Sequence, residues 1–228
     1  MAARALLIQT PKIATMSHVA RKAMPEPLVL AVAHSKGGVG KTTTTLILGR
    51  YLARRWRVAL LDYDESAHLT DLVGELALDQ HSITRRLWLR NGQARPADVV
   101  LIDSAPSRNP ETRRALLEAD YVLIPAPPER MAVRAMQQML DTVDSIRSQG
   151  NPYLQVLGVI PTLYDRAWPD HQAYLAQMAK ACAERNVRLF PPVQRRHSYL
   201  SLSTAGQDYR PVADAVGEAI SRKEAVNG

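Results

Sequence analysis

The chain has 228 residues, 46% hydrophobic and 22% charged, enough to bury one substantial core and too few for two. Its 15 prolines and 11 glycines are scattered, which excludes collagen-like and low-complexity classes, and a single cysteine, Cys182, excludes an internal disulfide, an iron–sulfur cluster or a cysteine-rich zinc site and suits a reducing cytosol. A net charge of +7, doubled in a symmetric dimer, favours a polyanionic partner, and no apolar run approaches the roughly 18 residues that would suggest a membrane span.

Residues 1–27 carry Arg4, Lys12, Arg21 and Lys22 around a short apolar patch, Ala5 to Ile8, which is too short for a secretory segment. They lack the strand–helix rhythm of the remaining chain and read as an N-terminal arm, expected to be disordered, ahead of one domain over 28–228. Apolar runs bounded by turn signals predict strands at Leu28 to His34, Val58 to Leu61, Val99 to Ile102, Tyr121 to Pro125, Val156 to Ile160 and Val187 to Phe190. Helical spacing predicts helices at Thr42 to Arg54, Glu129 to Ser148 and His171 to Arg185. Another should start where Asn109 can cap, Pro110 fits the first turn and Glu111 suits the positive helix end. Cys182 falls in a helix and reads as a buried thiol. Val212, Val216 and Ile220 form a small stripe without aromatic anchors, which core packing explains better than a membrane-surface helix. Strands alternating with helices imply an α/β fold: a doubly wound, mostly parallel sheet with helices on both faces and ligands beyond the carboxyl ends of its strands.

The segment Ser35 to Thr43 follows the first strand and opens the first helix, the setting that a phosphate-binding loop requires. Gly37, Gly38 and Gly40 let the backbone N–H groups around them and Val39 turn toward phosphate oxygens at a positive helix end. Lys41 would bridge the β- and γ-phosphates, the Thr42 hydroxyl would hold Mg²⁺, and Thr43 belongs to the same nucleotide-binding set. The alternative is a Gly/Lys-rich surface turn with no ligand. A common phosphate loop starts with glycine where this chain has Ser35. What stands here instead, Lys36-Gly37-Gly38-Val39-Gly40-Lys41-Thr42, resembles the deviant Walker A box of the ParA and MinD group of P-loop ATPases. The resemblance implies that Lys36 reaches across an ATP-sandwich homodimer to the phosphates of the other subunit.

Asp62-Tyr63-Asp64 closes the second strand and resembles that family's second motif, with Glu65-Ser66 where relatives continue Pro-Gln. By resemblance Asp62 helps to hold the Mg²⁺ water shell and Asp64 positions the attacking water; the bland alternative is an Asp-rich turn that caps the next segment. Val99 to Asp103, followed by Ser104-Ala105-Pro106, reads as a Walker B strand whose Asp103 supports Mg²⁺. Asp120 is given a structural role. Pro161 and Thr162 end a strand where relatives hold the adenine.

The resemblance implies a slow, partner-stimulated, Mg²⁺-dependent hydrolysis of ATP, binding to DNA without sequence preference in the ATP state, and a ParB-like or other cargo adaptor, in the cytoplasm on the nucleoid. Arg195 and Arg196 are the candidate DNA contacts, with Arg166, Arg222 and Lys223 behind them. Plasmid or chromosome partition is the expected role. The alternatives are positioning of a protein organelle or array on the nucleoid, and a MinD-like membrane-positioning role. A metabolic relative, such as an ATP-dependent amidating enzyme, is disfavoured because no second substrate site is recognisable.

Overall fold

The computed structural model describes residues 26–64, 66–77, 87–89, 96–106, 110–195 and 207–227. The expected arm, apart from its last two residues, and the Asn109 cap lie outside them. In chain order the elements are β1 (Leu28–Val32), α1 (Lys41–Leu52), β2 (Val58–Tyr63), α2 (His68–Ala77), β3 (Leu87–Leu89), β4 (Val99–Ser104), α3 (Pro110–Glu118), β5 (Tyr121–Ala126), α4 (Arg130–Gln149), β6 (Gln155–Pro161), α5 (Pro169–Glu184) and α6 (Arg210–Asn227).

The strands form one parallel sheet in the order β3-β2-β4-β1-β5-β6. The chain winds outward from β1 to β2 and β3, returns to place β4 between β2 and β1, and then winds the other way through β5 and β6. A crevice opens beyond the carboxyl ends of the strands where that direction reverses, so β1, β2 and β4 deliver their last residues to one place.

Side-chain alternation assigns the two faces. Leu28, Leu30, Val58, Leu60, Val99 and Leu101 join one core layer with Leu46, Ile47 and Leu48 of α1 and Val212, Val216 and Ile220 of α6. Ala31, Ala59, Val100, Ile102, Val122 and Ile124 join the opposite layer with Leu116 of α3, Met136 and Leu140 of α4 and Met178 and Cys182 of α5. Burial on both faces explains why these strands are runs of Val, Leu and Ile rather than alternating patterns. The stripe Val212, Val216 and Ile220 is therefore core, as its small size suggests, and the Cys182 thiol is buried, which pushes its pKa up to about 11. Among the described residues no helix is long and apolar enough to cross a membrane.

The structure corrects one strand. Val187 to Phe190 contributes only an isolated bridge, Leu189 to Val159, with a second bridge between Gln194 and Tyr164. Within the sheet the segment exchanges bonds with Val159 alone, and Pro191 and Pro192, which directly follow Phe190, have no N–H to carry the pairing on as a ladder.

Candidate functional site

The loop after β1 turns at Gly38 (φ 73°) and Gly40 (φ 88°), left-handed conformations that a side chain disfavours, and Gly40 is the residue that directly precedes α1. Lys41, first in α1, is only 6% exposed, and its Nζ donates to the Lys36 carbonyl at 3.3 Å. Burial lowers the Lys41 pKa, while the charges of Asp103 and Asp64 act to raise it. The loop is braced from β6: the Thr162 hydroxyl donates to the Val39 carbonyl at 2.7 Å.

Alternation along the strands places the acids. Asp62 and Asp103 are register partners on β2 and β4, and each continues the set that faces α1: 58, 60, 62 on one strand and 99, 101, 103 on the other. Both carboxylates thus emerge on the face that carries the phosphate loop and its helix. Asp103 is 1% exposed. Burial pushes its carboxyl up to about 7, against the Thr42 hydrogen bond and the Lys41 charge, and with the negative charges of Asp62 and Asp64 adding to the rise. Thr45 also donates to its Oδ1 at 3.4 Å, whereas Oδ2 is buried and has no hydrogen-bond partner among the described residues. A buried acid beside a threonine hydroxyl, with an oxygen left over and two further acids nearby, is a donor set that fits Mg²⁺ on a nucleotide phosphate.

Asp62 and Asp64 also order the turn into α2. Asp62 accepts from the Asp64 amide at 3.1 Å and from the amide and hydroxyl of Thr70 at 3.0 and 2.9 Å. Asp64 accepts from the amide and hydroxyl of Ser66 at 3.0 and 2.6 Å. Burial acts to raise the Asp64 pKa, but Ser66, His68 and Lys41 outweigh it and hold the group below the ordinary carboxylate value. Capping and placement beside the phosphate loop coexist in these residues, so the turn reading and the chemical one are not exclusive.

Lys36 differs from Lys41. Its side chain is 39% exposed and pairs with Glu129 at 3.2 Å. Its amide donates to His34 Nδ1 at 3.0 Å, and His34 Nε2 faces the Ala132 carbonyl at 3.4 Å, so the imidazole joins the loop to α4. Burial holds the His34 pKa down at about 4. Glu129, His34 and Thr45 carry no motif signal, because each meets its partner through the fold. Pro161 and Thr162 are buried; Thr162 braces the loop through its hydroxyl and packs beside Gly40, and its amide donates to the Ala126 carbonyl at 3.1 Å. Arg195 is exposed, and its amide is fixed to the Tyr164 carbonyl at 2.7 Å; Arg196 lies outside the described residues. Lys223 is not a surface cation: it pairs with Asp120 at 2.7 Å and donates to the Pro27 carbonyl at 2.9 Å, while Asp120 also accepts from the Val29 amide at 2.8 Å. That clamp gives Asp120 its structural role.

Comparison with known proteins agrees with this geometry. The profile of the CobQ/CobB/MinD/ParA nucleotide binding domain matches residues 30–208. The chromosome-partitioning ATPase Soj of Thermus thermophilus is 31% identical, over 70% of this chain and 82% of that protein. The chromosome partitioning protein ParA of Caulobacter vibrioides is 32% identical over 60% and 70%. Among solved structures, a Cyanothece McdA variant in complex with ATP superposes with a TM-score of 0.72 at 21% identity, over 84% of this chain and 96% of that one. Cobyrinic acid a,c-diamide synthase from Mycobacterium smegmatis, with a bound ATP analogue and magnesium, does so with 0.67 at 28%, over 84% and 94%. A phosphate loop with a second lysine, three acids at the ends of adjacent strands and these relatives lead to one assignment: the chain belongs to the CobQ/CobB/MinD/ParA nucleotide-binding family and, within it, stands with the partition ATPases of the Soj and ParA kind.

Proposed function

We propose that this protein is an Mg²⁺-dependent ATPase switch that dimerises on ATP, binds DNA without sequence preference in that state, and moves a plasmid or chromosome with the help of a cargo-bound adaptor. The observation that carries the reading is the contrast between two lysines of one loop. Lys41 is buried toward the phosphate site, and Lys36 is held at the surface, where a second subunit can meet it. An ammonium facing phosphates in a water-poor seam is held far more strongly than one in bulk water, so ATP belongs to the interface and its hydrolysis loosens the dimer. Lys36, Lys41 and the backbone of residues 37–43 bind the phosphates; Thr42, Asp62 and Asp103 serve Mg²⁺; Asp64 orients the attacking water. Pro161 and Thr162 border the base.

DNA binding would place the protein on the nucleoid in the cytoplasm. The bridge between Tyr164 and Gln194 carries the Arg166 loop next to Arg195, which supports a shared basic surface at that edge. The test is binding to random-sequence duplex DNA with ATP, ADP or no nucleotide across salt, alongside light scattering. Binding only with ATP, retained by Asp64→Ala and falling by about 10³ to 10⁵ between 50 and 200 mM salt for some 6 to 10 phosphate contacts, is the expected result. An unchanged mass in all three states, or salt-insensitive binding, would overturn it.

A further inference from the structure

We infer that Glu129 is the resting counter-ion of Lys36, a positioning residue that the phosphates of a second subunit must displace before the dimer closes. The inference rests on the reading of Lys36 as the lysine that crosses the interface. Its ammonium already lies 3.2 Å from the Glu129 carboxylate of its own chain. Glu129 directly precedes α4, yet its side chain makes no capping hydrogen bond, so the carboxylate at that positive helix end is turned to the lysine. The contact is one of two between the same elements. His34 accepts the Lys36 amide and reaches the Ala132 carbonyl in the first turn of α4, so the start of α4 and the start of the phosphate loop are joined by side chain and by backbone.

The chemistry is a competition. In the monomer Glu129 neutralises Lys36 and keeps it folded back on its own chain. In the closed dimer the ammonium must exchange one carboxylate for the more highly charged triphosphate of the partner, and a nucleoside diphosphate offers less to exchange for. Glu129 therefore raises the threshold for closure and sharpens the difference between ATP and ADP. Both partners are substantially exposed, so each pair is worth only about 1.4- to fivefold; two are broken per dimer, which sets the expected effect at about two- to thirtyfold.

Three variants of the full chain separate the possibilities: Glu129→Gln, Glu129→Asp and Lys36→Ala. The dimer dissociation constant is measured by sedimentation with ATP and with ADP, and amine reactivity at Lys36 is followed by acylation and mass spectrometry without nucleotide. Glu129→Gln is expected to react faster at Lys36, to dimerise with ATP at about two- to thirtyfold lower protein concentration, and to show a raised residual dimer with ADP, while Glu129→Asp, which keeps the charge, falls between it and the parent. If Lys36→Ala dimerises with ATP as the parent does, the underlying reading of Lys36 fails. If Lys36→Ala stays monomeric while Glu129→Gln matches the parent or dimerises more weakly, that reading stands and the role of Glu129 is overturned.

Discussion

Lys36 and Lys41 stand five residues apart in one loop and meet opposite environments, which decides what each can do. The Lys41 ammonium is out of water and held by a carbonyl, with Asp103 and Asp64 in its field, so it is preset for a multiply charged anion. Lys41→Ala is expected to weaken ATP binding by about 10- to 100-fold, the scale of a hydrogen bond to a charged group, while the fold persists; calorimetric titration in Mg²⁺ checks it. His34 supplies a second prediction. Its Nδ1 accepts the Lys36 amide, so the neutral ring carries its proton on Nε2, and burial holds its pKa at about 4 against 6.5 in the unfolded chain. The unfolded state therefore binds more protons between those values. Stability from the neutral ring is fully present above about pH 6.5 and is lost as pH falls toward 4. Melting temperature should drop more steeply over that window in the parent than in His34→Asn. The glycines, lysines and acids were legible because each motif is a short local spacing. Glu129 was not, since it reaches Lys36 across 93 residues and only the packing of α4 beside the loop brings them together.

The elements explain why the loop is held so close to the sheet. A Cβ built on Gly49 in α1 would lie 3.0 Å from Leu60 Cδ2, 3.3 Å from Leu87 Cδ1 and 3.4 Å from Leu101 Cδ1, so the helix lies against β2, β3 and β4 at a distance that a larger side chain would not allow. Gly49→Val should lift α1, cost about 1–3 kcal/mol of stability and weaken nucleotide binding, because the first residues of the same helix form the phosphate site. Thermal unfolding with and without ATP checks both effects. Five of the six expected strands were legible from apolar runs of strand length, and burial on both faces is what made them continuous. α2 and β3 were not anticipated. β3 has only three residues, too few for a periodic signal, and the turn into α2 is set by Asp62, which accepts from Thr70 eight positions along.

At the scale of the molecule, the order β3-β2-β4-β1-β5-β6 gathers Asp62, Asp103 and the phosphate loop at one end of the sheet, while the Asp120–Lys223 clamp on the Pro27 carbonyl secures the entry to β1 at the other. If the Arg195 surface engages DNA as proposed, Arg195→Ala and Arg166→Ala should each reduce the slope of log affinity against log salt by about 1 and weaken binding uniformly across sequences, with ATP-dependent dimerisation intact. The doubly wound parallel class could be read from the chain alone, as could the candidate phosphate loop and its three candidate acids, because strand length, helical period and motif spacing are properties of neighbouring residues. That Asp62 and Asp103 share the face of α1 and that Lys36 rests on Glu129 depends on strand order and helix packing, which bring distant parts of the chain within a few ångströms and leave no local signal.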